Sequence, residues 1–395
     1  MRKFIEKLVE GGFLISGSVS CFTILLIIVF LFKEAAGLFS SPEVEEGYVL
    51  AVNQENPVGH LSPEQIMDVF DANITNWEGL NGENQDILVF RFSDLTNYYT
   101  EEELGDEFQY VPEKINELIH KEPGIIAFFP EQYKSENFTG KIISGATIKP
   151  SEFFGGTKWY PTSAPAPIFG LIPLLLGTLL VSIGAIVLSL PFGVAVAIYM
   201  AEIANTKTRN LLKPIIELLA GIPSVVYGFF GLVVIVPLIQ KTLDLPVGET
   251  AFAGSVVLAI MALPTIITVA EDAMRTTPRA MKEASLALGA TQWQTIYKVI
   301  IPYSISGITS AVVLGIGRAI GETMAVLMVT GNAAVIPTSF FEPVRTIPAT
   351  IAAELGEAPA GGAHYQALFM LGAILFLITL ALSIAVEYIS SKRKI

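Results

Sequence analysis

WYPTSAPAPIFGLIPLLLGTLLVSIGAIVLSLPFGVAVAIYMA, residues 159–201, contains no charged side chain over 43 positions. A bilayer core about 30 Å thick takes about 20 helical residues, so the stretch spans with room for an approach segment. Four more charge-free runs follow the same rule: Gly11–Phe32 (22 residues), Leu218–Gln240 (23), Thr250–Ala270 (21) and Ala358–Val386 (29). A sixth span, near 303–330, is apolar except for Arg318 and Glu322. Across 395 residues only 15% are charged, against about 25% in soluble domains. A single water-soluble globule is excluded. The reading is an all-α polytopic membrane protein with about six transmembrane helices, near 12–36, 168–200, 214–240, 252–271, 303–330 and 365–390.

The first run exceeds the 7–15 residues of a signal-peptide core, and Phe30-Leu31-Phe32-Lys33-Glu34 lacks small residues for cleavage; it is expected to be a retained helix. Threading six helices in order puts Arg2, Lys3, Lys7, Lys207, Arg209, Lys213, Arg275, Arg279, Lys282, Lys298, Lys392, Arg393 and Lys394 on one side. Short cytoplasmic loops hold the excess of Lys and Arg. Both termini are therefore expected to be cytoplasmic in a multi-pass protein of the cytoplasmic (inner) membrane, in contact with lipid.

Charge is unevenly distributed. Ser41–Tyr160 holds 22 acidic and 7 basic residues, net −15, while the remainder is +2. A domain of that sign does not attract nucleic acid and repels free anions. Ser62-Pro63-Glu64-Gln65 is a helix start, with Ser as N-cap and Pro in the first turn. Val111 to His120 reads as a second helix, and Ile87–Phe90 and Ile125–Phe129 as buried strands. The expected organisation is an N-terminal transmembrane helix (1–38), a small extracytoplasmic α/β insert (39–160) and a transmembrane body (161–395). The lone Cys21 and the scattered His60, His120 and His364 offer no metal site, and no cofactor is implied.

Two constellations stand out. Arg318 and Glu322 are four apart, so on one continuous helix they share a face and pair. Each costs about 2.5–3.5 kcal/mol at a helix centre. They are either a structural ion pair locking helices or a polar station on a solute path, where Arg offers planar donors to an oxyanion. The flanking Gly317 and Gly321 have the spacing of a helix-packing device. The second constellation is Glu283-Ala284-Ser285-Leu286-Ala287-Leu288-Gly289, followed by Val299-Ile300-Ile301-Pro302. It is either a solvated loop or a short helix whose apolar residues, Leu286, Leu288, Trp293, Ile296 and Tyr297, dock in a partner's groove. Glu271 and Asp272, with Arg275 and Arg279, suggest an interfacial charge network. Pro223 and Pro264 fall within the third and fourth spans.

The second constellation resembles the coupling-helix motif of bacterial ABC importer permeases: E-A-A, three residues, G, nine residues, I-x-L-P. Ser285, Val299 and Ile301 are mild departures from it. AGIPSVVYGFFG (220–231), EDAMRTTP (271–278), GIGRAIGETMAV (315–326) and TIPATIAAELGEA (346–358) narrow the resemblance to the permeases of phosphate-specific (Pst) transporters, PstC-type and not PstA-type. The resemblance covers about residues 168–390. It implies the ABC importer type I permease fold, with a coupling helix near 279–302. The implied partners are a PstA-type second permease, a cytoplasmic ATP-binding subunit dimer and an extracytoplasmic phosphate-binding protein, with inorganic phosphate as the solute. It also implies that Arg318 and Glu322 line the path and that Glu283, Ala284, Ser285, Gly289 and Pro302 contact the ATPase. No G-x-x-x-x-G-K-[ST] loop occurs in the chain, so ATP chemistry belongs to another subunit and the chain is not itself an enzyme. Importers of molybdate or sulfate, or a membrane sensor with the insert as receptor, are the rival readings.

LSPEQIMDVFDANITNWEGL (61–80), Ile87–Arg91 and Pro123–Phe128 are similar to stretches of phosphate-binding proteins. The loop after Arg91, Phe92-Ser93-Asp94-Leu95-Thr96-Asn97, lacks the Ser-Gly-Thr core of theirs, and a two-lobed receptor needs about twice the length. The insert is expected to be a degenerate half-lobe that docks the binding protein.

Overall fold

The computed structural model describes residues 2–143 and 146–391; Lys392, Arg393 and Lys394, used above for orientation, lie outside the described residues. Among the described residues six helices are long and apolar enough to cross a membrane. The chain divides into two compact units, Met1–Leu171 with Ala358–Met370, and Ile172–Glu357 with Leu371–Ile395.

In the first unit, α1 (Arg2–Gly37) exposes Phe13, Leu14, Phe22 and Ile27, the state of a helix whose surroundings are lipid or another chain. Its end is fastened: Phe30 meets Phe369 edge to face at 5.5 Å, and Ser41 Oγ donates to Gln366 Oε1 at 2.6 Å. A four-stranded sheet follows, built from β1 (Tyr48–Val52), β2 (Leu88–Arg91), β3 (Ile125–Pro130) and β4 (Lys141–Ile142), in the order β2-β3-β1-β4. Strands β2 and β3 are parallel, Leu88 opposite Ile125; β1 is antiparallel to both β3 and β4.

Strand β3 is apolar without a break because both faces of the sheet are covered. On one side Leu50, Val52, Ile126 and Phe128 pack with Ile66 and Phe70 of α2 (Pro63–Phe70); on the other Val49, Ala51, Ala127 and Phe129 pack with Ile115 and Ile119 of α3 (Val111–Lys121). The helix start at Ser62 is as expected: its side chain accepts from Gln65 N while Gln65 Oε1 accepts from Ser62 N. Trp77 is buried and donates through Nε1 to the Gly124 carbonyl at 2.9 Å. The unit continues through α4 (Pro150–Gly155) and a small ribbon of β5 (Trp159–Tyr160) and β6 (Ile168–Phe169).

The second unit is helical. Helix α5 (Ile172–Ile198) is extended by a π-turn over Tyr199–Ile203, and α6 (Thr206–Ala220) follows. Span α7 covers Ser224–Leu243 and α8 covers Ala251–Arg275 with Pro264 inside it. Then come α9 (Arg279–Ala287), α10 (Gln292–Gly321), α11 (Met324–Val329), α12 (Ile347–Glu354) and α13 (Ala363–Ser391), the last begun in the first unit. The most buried span, α8, forms the centre: Val257, Leu258 and Met261 pack with Val181 and Ala185 of α5, Tyr227 of α7 and Val326 of α11. Gly177 lets α5 meet the Arg345 carbonyl, which a Cβ there would strike.

Three expected boundaries are corrected. The second span begins at Ile172, because Ile168 and Phe169 pair as a strand. The third is not continuous from 214: α6 ends at Ala220, and Pro223 sits at the N-cap of α7, outside the helix and not within it. Proline has no N–H to donate and is suited to a helix start. The fifth is not continuous to 330, since α10 ends at Gly321 and Glu322 is extended, with φ −72° and ψ 131°.

Buried Glu43, just after α1, faces His60 (3.8 Å), Lys149 (3.6 Å) and Glu152, and its Oε1 has no hydrogen-bond partner. Burial, reinforced by Glu152, pushes its carboxyl above the usual 4.5, against the opposing pull of His60 and Lys149. A carboxyl raised on folding stabilises the fold below its unfolded value and loses that contribution as pH rises through the folded one. Glu43→Gln is therefore expected to raise the melting temperature of the full chain in detergent at pH about 7, with the gain vanishing at pH about 4. Equal melting of both proteins across that range refutes this.

Candidate functional site

Arg318 lies on the last turn of α10, partly buried. Its Nη1 donates to Thr265 Oγ1 of α8 at 3.3 Å. The expected pairing with Glu322 is not made. The helix ends between them, so the four-residue spacing no longer places them on one face. Glu322 instead turns to the next helix, where its Oε1 accepts from Ala325 N at 3.3 Å. Among the described residues no carboxylate forms an ion pair with Arg318. The glycines also depart from expectation: a Cβ on Gly317 or Gly321 meets nothing within 4 Å, so among the described residues they pack against no neighbouring helix. Tyr227 of α7, within electrostatic reach of Arg318, donates its hydroxyl to the Leu219 carbonyl at 2.8 Å, tying α7 to the end of α6 across the Pro223 break.

The second constellation is a short helix with a glycine exit, as read from the sequence. Glu283, Ala284 and Ser285 lie on α9, and Gly289 leaves it at φ +86°, a left-handed conformation that side chains rarely adopt. Thr291 then caps the start of α10 through a reciprocal bond with Gln294. Pro302 is exposed two residues beyond a π-turn over Ile296–Ile300. Leu286, Leu288, Trp293 and Tyr297 are all exposed, Leu288 at 89%. Ile296 corrects the expectation: it is buried against Ala270 and Met274 and is no part of that surface. The segment is held from behind. Lys282 Nζ reaches Glu202 Oε1 at 2.5 Å, Gln292 Nε2 donates to the Glu202 carbonyl at 3.0 Å, and the Ser285 and Thr295 hydroxyls meet at 2.9 Å.

Glu271, only 1% exposed, lies near the C-terminal end of α8. Its Oε1 accepts from Arg209 Nε at 2.8 Å, with Arg275 at 3.6 Å, and Lys213 stands 3.9 Å from Oε2 and 3.4 Å from Asp272. The charge network is thus present, but Arg209 and Lys213 of α6 enter it and Arg279 does not. The sequence signal for them was the basic face of α6, 62 positions away from Glu271.

In the insert, the loop after β2 is closed on itself. Arg91 Nη2 donates to the Phe70 carbonyl at 2.7 Å, the guanidinium lies 5.2 Å from the Phe70 ring centre, and Asp94 Oδ2 accepts from Arg91 N at 3.1 Å.

Comparison with known proteins gives consistent neighbours. The family described as "Binding-protein-dependent transport system inner membrane component" matches residues 193–395. The probable ABC transporter permease protein YqgH of Bacillus subtilis is 41% identical over 254 residues, 64% of this chain and 81% of that protein. The phosphate transport system permease protein PstC of Mesorhizobium japonicum is 39% identical over 253 residues, covering 59% and 76%. Its counterpart in Pasteurella multocida is 38% identical over 246 residues, covering 58% and 75%.

Removing a buried carboxylate that holds several cations costs about 3–5 kcal/mol. Glu271→Ala is expected to lower the detergent melting temperature sharply, measured by thermal aggregation, with Glu271→Gln intermediate. An unchanged melting temperature in the alanine variant shows that the network does not support the bundle.

Proposed function

The chain belongs to the family of binding-protein-dependent transport system inner membrane components, and we propose on that premise how it carries phosphate. It is a PstC-type permease subunit of an ABC importer that moves inorganic phosphate across the membrane, driven by ATP hydrolysis on a separate subunit. Phosphate delivered outside enters between this chain and a PstA-type permease, meets Arg318, and leaves when the inner side opens. The observation that carries this path is a guanidinium in an apolar span with no carboxylate among the described residues paired to it. In low dielectric such a charge is costly unless an anion answers it. Glu322 supports the path from the side, its carboxylate accepting from Ala325 N in the first turn of α11. One guanidinium does not neutralise a dianion, so further donors come from the partner permease.

Leu286, Leu288, Trp293 and Tyr297 then form the coupling surface toward a pair of ATP-binding subunits, with Glu283, Ala284, Ser285 and Gly289 shaping the α9 turn and Pro302 starting the span behind it. In this reading both termini are cytoplasmic, and the insert (39–160) stands outside between the first helix (1–38) and the permease body (161–395). Its −15 charge and self-closed Arg91 loop favour docking of the phosphate-binding protein over binding phosphate itself. Arg318→Ala is expected to abolish phosphate uptake while the complex still assembles, measured by radiolabelled uptake and co-purification; normal uptake refutes the path. Gly289→Val, strained in the left-handed region, is expected to remove ATPase stimulation or the ATPase itself; full stimulation by loaded binding protein refutes the coupling role.

A further inference from the structure

Most threonines in these helices spend their hydroxyl on their own backbone. Thr309 donates to the Ile305 carbonyl at 2.8 Å and Thr330 to that of Val326 at 3.0 Å, the usual fate of a helical hydroxyl. Thr265 differs. It follows Pro264 inside α8, and among the described residues its Oγ1 makes one bond only, accepting from Arg318 Nη1 at 3.3 Å. The consequence is chemical. A carboxylate at this place would orient the arginine but also neutralise it and compete with an arriving anion. A neutral hydroxyl fixes the direction of one guanidinium nitrogen and leaves the full positive charge, with the remaining donors free.

We propose that Thr265 is a positioning residue for phosphate passage, fixing the direction of the Arg318 guanidinium without discharging it; this rests on the path through Arg318 proposed above. Hydrogen bonds to charged groups are the stronger kind, and loss of one releases a long side chain to several rotamers.

The test uses the assembled importer in liposomes, supplied with phosphate-loaded binding protein and ATP, with uptake and ATP hydrolysis measured together. Thr265→Val keeps the shape and removes the acceptor. It is expected to lower phosphate moved per ATP about tenfold while stimulated ATPase stays at the wild-type rate, and Thr265→Ser is expected to restore the ratio. A wild-type ratio in the valine variant overturns the proposal. So does a parallel fall of uptake and ATPase, which marks a packing defect, or a serine variant as poor as valine. Arg318→Ala separates the two levels: normal uptake there sinks the path itself, whereas a dead Arg318→Ala beside a normal Thr265→Val sinks only the positioning role.

Discussion

An arginine part-way along an apolar helix has to be answered by something, and how it is answered decides what the bundle is for. A carboxylate one turn on is the cheapest solution, and the spacing of Arg318 and Glu322 offers it. The chain declines it by ending α10 at Gly321, so that Glu322 satisfies backbone donors of α11 instead. What remains is a cation tethered by a neutral hydroxyl; on the path proposed above, the bond a carboxylate would have made is left for the solute.

The same logic of satisfied backbone governs the helix breaks. Away from water a free N–H or C=O is expensive, so irregular backbone survives only where protein or a cavity answers it. At the Gly221–Pro223 break the Tyr227 hydroxyl takes up the Leu219 carbonyl. In the segment after α11, Val344 N donates to the Thr330 carbonyl at 2.9 Å and Ile347 N to Thr178 Oγ1 at 2.9 Å, so backbone donors of the connection to α12 are answered by α5 and by the end of α11. At the opposite end α6 is drawn to α8 by Glu271, and α9 to the end of α5 by Lys282 and Glu202. The exposed Leu286, Leu288, Trp293 and Tyr297 therefore rest on a braced support.

The insert is built on a different physical principle. Its sheet is shielded on both faces, so β1 and β3 are apolar throughout, while its outer residues carry nearly all the excess negative charge of the chain. Strands β2 and β3 pair in parallel with α3 as the crossover between them. The loop after β2 is closed by Asp94 and by the tie between Arg91 and Phe70.

Much of this was legible in local patterns. Charge-free runs reveal spans because the cost of charge in hydrocarbon acts residue by residue. The capping pair Ser62–Gln65, the glycine exit at Gly289 and the strands at 88–91 and 125–130 are likewise written in neighbouring residues. Strand β1 escaped because Tyr48–Val52 is too short to show a period and gains its order from β3, nearly 80 positions away. The ends of α6 and α10 escaped because a helix stops where its unpaired backbone finds other partners, and those partners are distant in the chain. By itself, then, the sequence determined a six-span membrane protein with an acidic α/β insert and one intramembrane arginine. Only the tertiary structure decided that this arginine is held by Thr265 and not by Glu322, because hydrogen bonds in a low-dielectric interior depend on which side chains meet across the bundle, and sequence spacing carries that information only while the helix continues.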